Sequence, residues 1–192
     1  MTPVARGGPA TATEVLGLVA EALPTPLGRL LLVTDGDGRL RAAEWTDHRD
    51  RLLRLLARHY GPAGYALAEG AAAPAVVAAV AAYFAGELAA IDAVPVATAG
   101  TAFQRMVWAA LRQIPAGLPV SYAALAVRLG RPAAARAVGH ANGANPVSVV
   151  VPCHRLVGTD GALTGYAGGL ARKRWLIAHE GAPGPFGGDP AA

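Results

Sequence analysis

The only cysteine among 192 residues, Cys153, stands between Pro152 and His154 at the end of an apolar run, residues 147–151. The thiolate is the nucleophilic form of cysteine, and a neighbouring imidazole can accept the thiol proton. A small, buried, inert thiol is the plainer reading of a lone cysteine. Pro-Cys-His-Arg closing an apolar stretch favours a nucleophile paired with its base. Such a pair also needs an acid to orient the imidazole. Between residues 96 and 181 only Asp160 and Glu180 are acidic, and periodicity does not choose between them. A single cysteine excludes an internal disulfide framework and a multi-cysteine zinc site.

The same stretch is strongly basic. Residues 96–181 hold eight arginines and Lys173 against those two acids, whereas residues 1–95 hold eight arginines and ten acids. A basic half nearly free of acids is the footprint of a polyanion-binding surface. Apolar residues make up 53%, enough for a sizeable core, though much of it is alanine. The longest uncharged stretch, residues 70–86, carries Pro74, and Val76, Val77, Val80, Tyr83 and Phe84 keep helical spacing. It reads as an amphipathic core helix and not as a bilayer span. Glu14 and Glu21 interrupt the N-terminal region, so no signal peptide is visible. The expectation is a soluble, cytoplasmic protein with no membrane segment.

Two halves must position these groups. Residues 1–12 and 182–192 are Gly/Pro-rich and read as flexible tails, with a scaffold domain at 13–95 and a second, mostly helical domain at 96–181. The first domain begins with a short helix near residues 14–23. A strand over 27–34, the turn Asp35-Gly-Asp-Gly and a strand over 39–45 make a hairpin. Helices over 48–60 and 75–85 follow, and residues 91–97 read as an extended link. In the second domain Thr101-Ala-Phe-Gln fits a capping box, opening a helix with Phe103, Val107, Trp108 and Leu111. Ser121 caps another, which ends near Gly130. A helix over 133–141 completes a helix-turn-helix pattern. Residues 147–151 read as a strand, and a last helix runs over 170–180. The fold class is α+β.

The ordered segments Gly100-Thr-Ala-Phe-Gln-Arg-Met-Val-Trp, Ile114-Pro-Ala-Gly, Val120-Ser-Tyr, Gly130-Arg-Pro-Ala-Ala-Ala-Arg-Ala-Val-Gly and Asn142-Gly-Ala-Asn-Pro are followed by Val151-Pro-Cys-His-Arg, Gly165-Tyr-Ala-Gly-Gly and Lys173-Arg-Trp-Leu-Ile-Ala-His-Glu. Together they resemble the O6-alkylguanine-DNA alkyltransferases, in their bacterial constitutive form. The match is continuous over about residues 98–181, while residues 14–95 resemble the family's N-terminal domain only loosely. The zinc sites of some family members need cysteines that this chain lacks.

The resemblance implies DNA repair by direct reversal, with an alkyl group moved irreversibly from guanine O6 to Cys153. His154 would take the thiol proton through a water, Glu180 would hold His154, and Tyr122 would donate a proton toward guanine N3. Asn145 would brace the loop. Tyr166 would line the base pocket, with the Ala167 N–H facing O6 and the carbonyls of Cys153 and Leu156 facing the exocyclic amine. An alkyl group on O6 lies inside the base stack, so the nucleotide must rotate out. Arg136 would fill the vacated space, and small Ala135, Ala137 and Gly139 would let the helix approach the minor groove. That helix lacks the side chains that discriminate bases at several positions, which implies sequence-independent binding. His140 is bulky for a groove-facing helix and has no implied role. The implied partner is double-stranded DNA bearing O6-alkylguanine, met by a monomer with no metal or organic cofactor. O4-alkylthymine repair and cooperative DNA binding are further expectations that the resemblance raises.

Other readings make different demands. A lesion-recognition protein of the same family typically carries tryptophan in place of the acceptor cysteine. A transcription factor would read specific bases, usually as a dimer. A cysteine hydrolase would need an oxyanion hole and a deacylating water.

Overall fold

The computed structural model describes residues 15–182. The tails expected at 1–12 and 182–192 lie outside that span, apart from Ala182, which is buried. Four strands, β1 (Leu16–Thr25), β2 (Gly28–Asp35), β3 (Leu40–Trp45) and β4 (Tyr65–Glu69), form one sheet in the order β3-β2-β1-β4. The β1–β4 pair is parallel and the others are antiparallel. β2 and β3 make the expected hairpin, and Asp35 Oδ1 accepts the N–H groups of Asp37 and Arg39 at 3.0 and 2.9 Å in its turn.

The expected helix near residues 14–23 is instead β1. Leu18 and Ala20 are buried while Val19 between them is only half-buried, and β1 has a hydrogen-bonded neighbour on each side. Pairing across the sheet decides the conformation there over local spacing. β4 was not expected, because its half-exposed Tyr-Ala-Leu-Ala-Glu has little strand character without the partner. The helix α1 (Arg49–Tyr60) lays Leu52 and Leu56 on Leu18, Val33 and Ala42 of the sheet. On the Ala-rich α2 (Pro74–Phe84), the buried face is Val76, Val80 and Tyr83. The expected extended link is a 3-10 helix over Leu88–Ala93 before it extends. Beyond it, the Leu40 N–H donates to the Pro95 carbonyl at 2.8 Å, so the link covers part of the β3 edge.

The second half holds α3 (Ala102–Arg112), α4 (Tyr122–Arg128), α5 (Ala135–Gly143) and α6 (Leu170–His179), with the short parallel pair β5 (Val120–Ser121) and β6 (Leu156–Val157). The capping box at Thr101 is complete, with bonds of 3.2 and 2.9 Å. Ser121 Oγ accepts the Ala124 N–H at 3.0 Å and caps α4. The Trp108 indole N–H donates to the Ala141 carbonyl at 2.8 Å, tying α3 to α5.

Residues 147–151, read as a strand, form tight turns. Val147 alone bridges to Ala43, and Val149 sits at φ 71°. All five residues are buried, which gives them a strand's composition without its ladder. One apolar cluster includes Leu30, Leu40, Trp45 and Tyr83 together with Trp108, Val138, Val151 and Leu176, so the core runs on across residue 96. Among the described residues no helix is long and apolar enough to cross a membrane.

Candidate active site

Cys153 opens a single 3-10 turn, Cys153–Arg155, in which all three residues are buried. The path into that turn is set by Asn145. Its Oδ1 accepts the Val147 N–H at 2.9 Å, and its Nδ2 donates to the carbonyls of Val151 at 2.9 Å and Val147 at 3.3 Å. One side chain thus replaces the ladder that a strand would have supplied. The first half of the chain grips the same loop. The Ala43 N–H donates to the Pro146 carbonyl at 2.9 Å, and the Ser148 N–H donates to the Ala43 carbonyl at 2.8 Å. Arg51 of α1, ion-paired with buried Glu44, donates to the carbonyls of Gly143 at 2.7 Å and Asn145 at 3.1 Å.

Behind Cys153, His154 Nε2 lies 2.9 Å from Glu180 Oε1. An ionised carboxylate only accepts, so Nε2 carries the proton and the lone pair is on Nδ1. Nδ1 has no hydrogen-bond partner among the described residues. Arg155 donates from Nε to Glu180 Oε2 at 2.9 Å and from Nη2 to Oε1 at 2.8 Å. The Tyr83 hydroxyl donates to the same Oε1 at 2.9 Å. Burial pushes the Glu180 carboxyl up, but His154 and Arg155 outweigh it and hold the group far below the usual carboxylate range. Asp160, the other acid, is exposed and caps the Ala162 N–H in a turn. Gly117 closes the back of the site: at φ +76° a Cβ there would lie 2.7 Å from the Glu180 carbonyl.

In front of Cys153 a cavity of about 600 Å³ opens, lined by Tyr122, Arg136, Gly139, Tyr166 and Ala167. The Tyr122 hydroxyl donates to the Thr164 carbonyl at 3.3 Å, and burial raises its pKa above the usual phenol value. Burial also pushes the Cys153 thiol up. Lys173, fully buried, donates to the carbonyls of Leu156 and Thr164, the latter at 2.6 Å, and its ammonium lies 5.9 Å from the Tyr122 ring centre. Burial pushes Lys173 down to about 8. At Gly168 a Cβ would come within 2.5 Å of Trp45 Nε1 and 2.8 Å of Tyr166 Cε1, so only glycine admits this packing.

A family model described as 6-O-methylguanine DNA methyltransferase, DNA binding domain, matches residues 102–182. The methylated-DNA–protein-cysteine methyltransferase of Salmonella typhimurium is 54% identical over 167 residues, 87% of this chain and 98% of that protein. The chain belongs to this methyltransferase family. Its Haemophilus influenzae relative is 39% identical over 83% of this chain and 84% of that protein. Among solved structures, Mycobacterium tuberculosis O6-methylguanine methyltransferase superposes with a TM-score of 0.67 at 37% identity, covering 85% of this chain and 92% of that one. The same organism's OGT in complex with DNA gives 0.68 at 36% identity, covering 87% and 95%.

The methyltransferase site gathers most of the residues expected from the sequence, but not all. Cys153, Tyr122, Tyr166, Ala167, Arg136 and Gly139 share one cavity. Glu180 stands behind His154, and Asn145 stands behind the loop. Leu156 is a core residue whose carbonyl is bonded to Lys173. On α5, Ala135 is half-buried, and exposed Ala137 borders a separate cleft with Phe103 and Gln104. His140 is exposed and reaches the mouth of the main cavity. Sequence reasoning missed Tyr83, Glu44, Arg51 and Lys173. Glu44 carried a signal, being an acid placed between the apolar residues of a strand.

Proposed function

We propose that this methyltransferase-family chain repairs alkylated DNA by direct reversal, carrying an alkyl group from guanine O6 to Cys153 once per molecule. The observation that carries this reading is the placement of Cys153 at an open cavity beside His154, whose outer nitrogen holds a free lone pair while Glu180 fixes the inner one. His154 Nδ1 takes the thiol proton, directly or through a water. The ionised Glu180 stabilises the resulting imidazolium. The Cys153 Sγ then attacks the alkyl carbon, and the C–O6 bond breaks with its electron pair passing to the guanine ring. Tyr122 gives its hydroxyl proton to N3, neutralising the leaving base, and recovers a proton from the imidazolium through solvent. The nearby Lys173 ammonium favours the transient phenolate. The products are guanine in DNA and an S-alkylcysteine. A thioether has no hydrolytic exit, so each molecule acts once.

Burial of O6 in the duplex requires the nucleotide to rotate out, here through the minor groove toward the cavity. Arg136 is exposed at the cavity rim with no hydrogen bond or ion pair among the described residues, which leaves it free to enter the space the base vacates. The cavity is complete within one chain, which suits a monomer. A lone reactive thiol suits the reducing cytoplasm.

The test is the fate of the damaged base. Incubation with a duplex containing O6-methylguanine should return unmodified guanine in an intact strand. Released O6-methylguanine, an abasic site or a nick would contradict direct reversal. The same assay with O4-methylthymine reads the second substrate.

A further inference from the structure

Tyr83 belongs to α2, in the half of the chain that the family model does not match, yet its hydroxyl ends on Glu180, 97 residues later. The side chain is fully buried. A buried hydroxyl costs free energy unless it is bonded, and phenylalanine would fill the same space between Phe84 and His179, whose rings lie edge-on at 5.2 Å each. The main chain fixes the residue as well, because His179 Nε2 lies 2.8 Å from the Tyr83 carbonyl. Tyr83 is therefore gripped by the residue before Glu180 while it holds Glu180 itself. Arg155 already contacts both carboxylate oxygens, so Tyr83 is not needed to neutralise the charge. Its bond falls on Oε1, the oxygen that His154 also uses.

We infer that Tyr83 is a positioning residue of the acceptor site: its hydroxyl holds Glu180 Oε1 toward His154 and takes a share of the charge that His154 would otherwise receive. The inference rests on the alkyl-transfer reading above. The charged or titratable groups around this carboxylate are His154 and Arg155 from the acceptor turn, His179 from α6 and Tyr83 from α2, with Tyr166 acting on Tyr83 at longer range. Burial, and then the Glu180 charge, push the Tyr83 phenol well above its usual range, so it stays a donor throughout the working pH.

The test is the single-turnover rate of alkyl transfer from duplex DNA and from free O6-benzylguanine, measured between about pH 5 and 9, a span wide enough to bracket an ordinary imidazole's change of charge. Tyr83→Phe should slow both substrates by about tenfold at neutral pH, the worth of one hydrogen bond to a charged group. It should also move the acid limb of the rate profile to higher pH, because the imidazolium then faces more of the Glu180 charge. Replacing Tyr83 with 3-fluorotyrosine, a stronger donor in an unaltered core, should move that limb to lower pH. This second substitution also serves if Tyr83→Phe folds poorly. Phe84→Leu disturbs the same aromatic cluster but keeps the hydroxyl, and should leave the limb in place.

Unchanged rates in both Tyr83 variants, or slower transfer with an unmoved limb, would overturn the inference. An equal movement of the limb in Phe84→Leu would do so too. Should the parent protein accept no alkyl group, the repair reading fails by itself. The pH profile of Cys153 carbamidomethylation by iodoacetamide, in parent and variants, would still decide the role of Tyr83.

Discussion

Behind Cys153, the side chains of His154, Arg155, Glu180 and Tyr83 are buried and bonded to one another, whereas on the α5 side of the same cavity Arg136 and His140 are exposed and Arg136 has no partner among the described residues. The contrast separates two jobs. Groups that move protons must be fixed before substrate arrives, since reorganising them during the reaction would add to the barrier. A group that enters a duplex must stay free until DNA supplies its partners. The inner wall should therefore couple rate to stability, and the outer wall should affect DNA alone.

The largest effect is expected at Cys153. Cys153→Ala should abolish transfer and leave affinity for lesion-bearing duplex intact, as read by labelled-substrate transfer and DNA binding. Alkyl transfer by this variant would remove the nucleophile assignment. Next is Glu180→Gln, which strips a buried arginine and histidine of their counter-charge. We expect a loss of about 3 kcal/mol in unfolding free energy, from denaturant titration, because a buried charge is left unpaired. Transfer should slow by about a hundredfold or more, the scale of general-base catalysis. A loss of rate with no loss of stability would break the coupling proposed for the inner wall.

The pH dependence follows from the same residue. Glu180 is held below its usual 4.5 in the folded chain, so its stabilisation is complete above that value and is lost as pH falls below it. Glu180→Gln should flatten that part of the acid-unfolding curve. Asn145→Ala leaves the Val147 N–H and the Val151 carbonyl without their partner. A destabilisation of about 2 kcal/mol is expected from thermal melts, with transfer slowed on every substrate. The smallest change is expected from Arg136→Ala. Repair of duplex should slow by roughly tenfold to a hundredfold, the worth of a charged hydrogen-bonding group. Reaction with free O6-benzylguanine should be unchanged, and stability should stay within about 0.5 kcal/mol, as for other exposed positions. Equal losses on both substrates would dissolve the distinction between the two walls.

The sequence showed the second half more clearly than the first, for physical reasons. Thr101, Ser121, Pro115 and Gly130 act within a few residues of themselves, so the starts and stops of α3 and α4 were local facts. β1 and β4 are not. Leu16, Val19 and Leu23 are spaced as on a helix, and only pairing with β2 and β4 makes the segment extended. Residues 147–151 misled in the opposite direction: their burial mimics a strand, while the side chain of Asn145 does the bonding. Around Cys153 the nucleophile and base are adjacent in sequence and were legible together. The acid was narrowed to Asp160 or Glu180 from composition, and the family resemblance pointed to Glu180, the residue bonded to His154. Tyr83 and Arg51 were invisible because their partners lie 97 and about 92–94 residues away, and nothing in α1 or α2 marks them as more than helix residues.

The most direct measurement is intact-mass and peptide spectrometry after incubation with duplex DNA carrying O6-methylguanine. One methyl group per protein molecule, located on the Cys153 peptide and never exceeded with excess substrate, is the expected result. An unmodified protein that still binds the lesion-bearing duplex would contradict it and leave Cys153 a packed thiol beside a recognition surface.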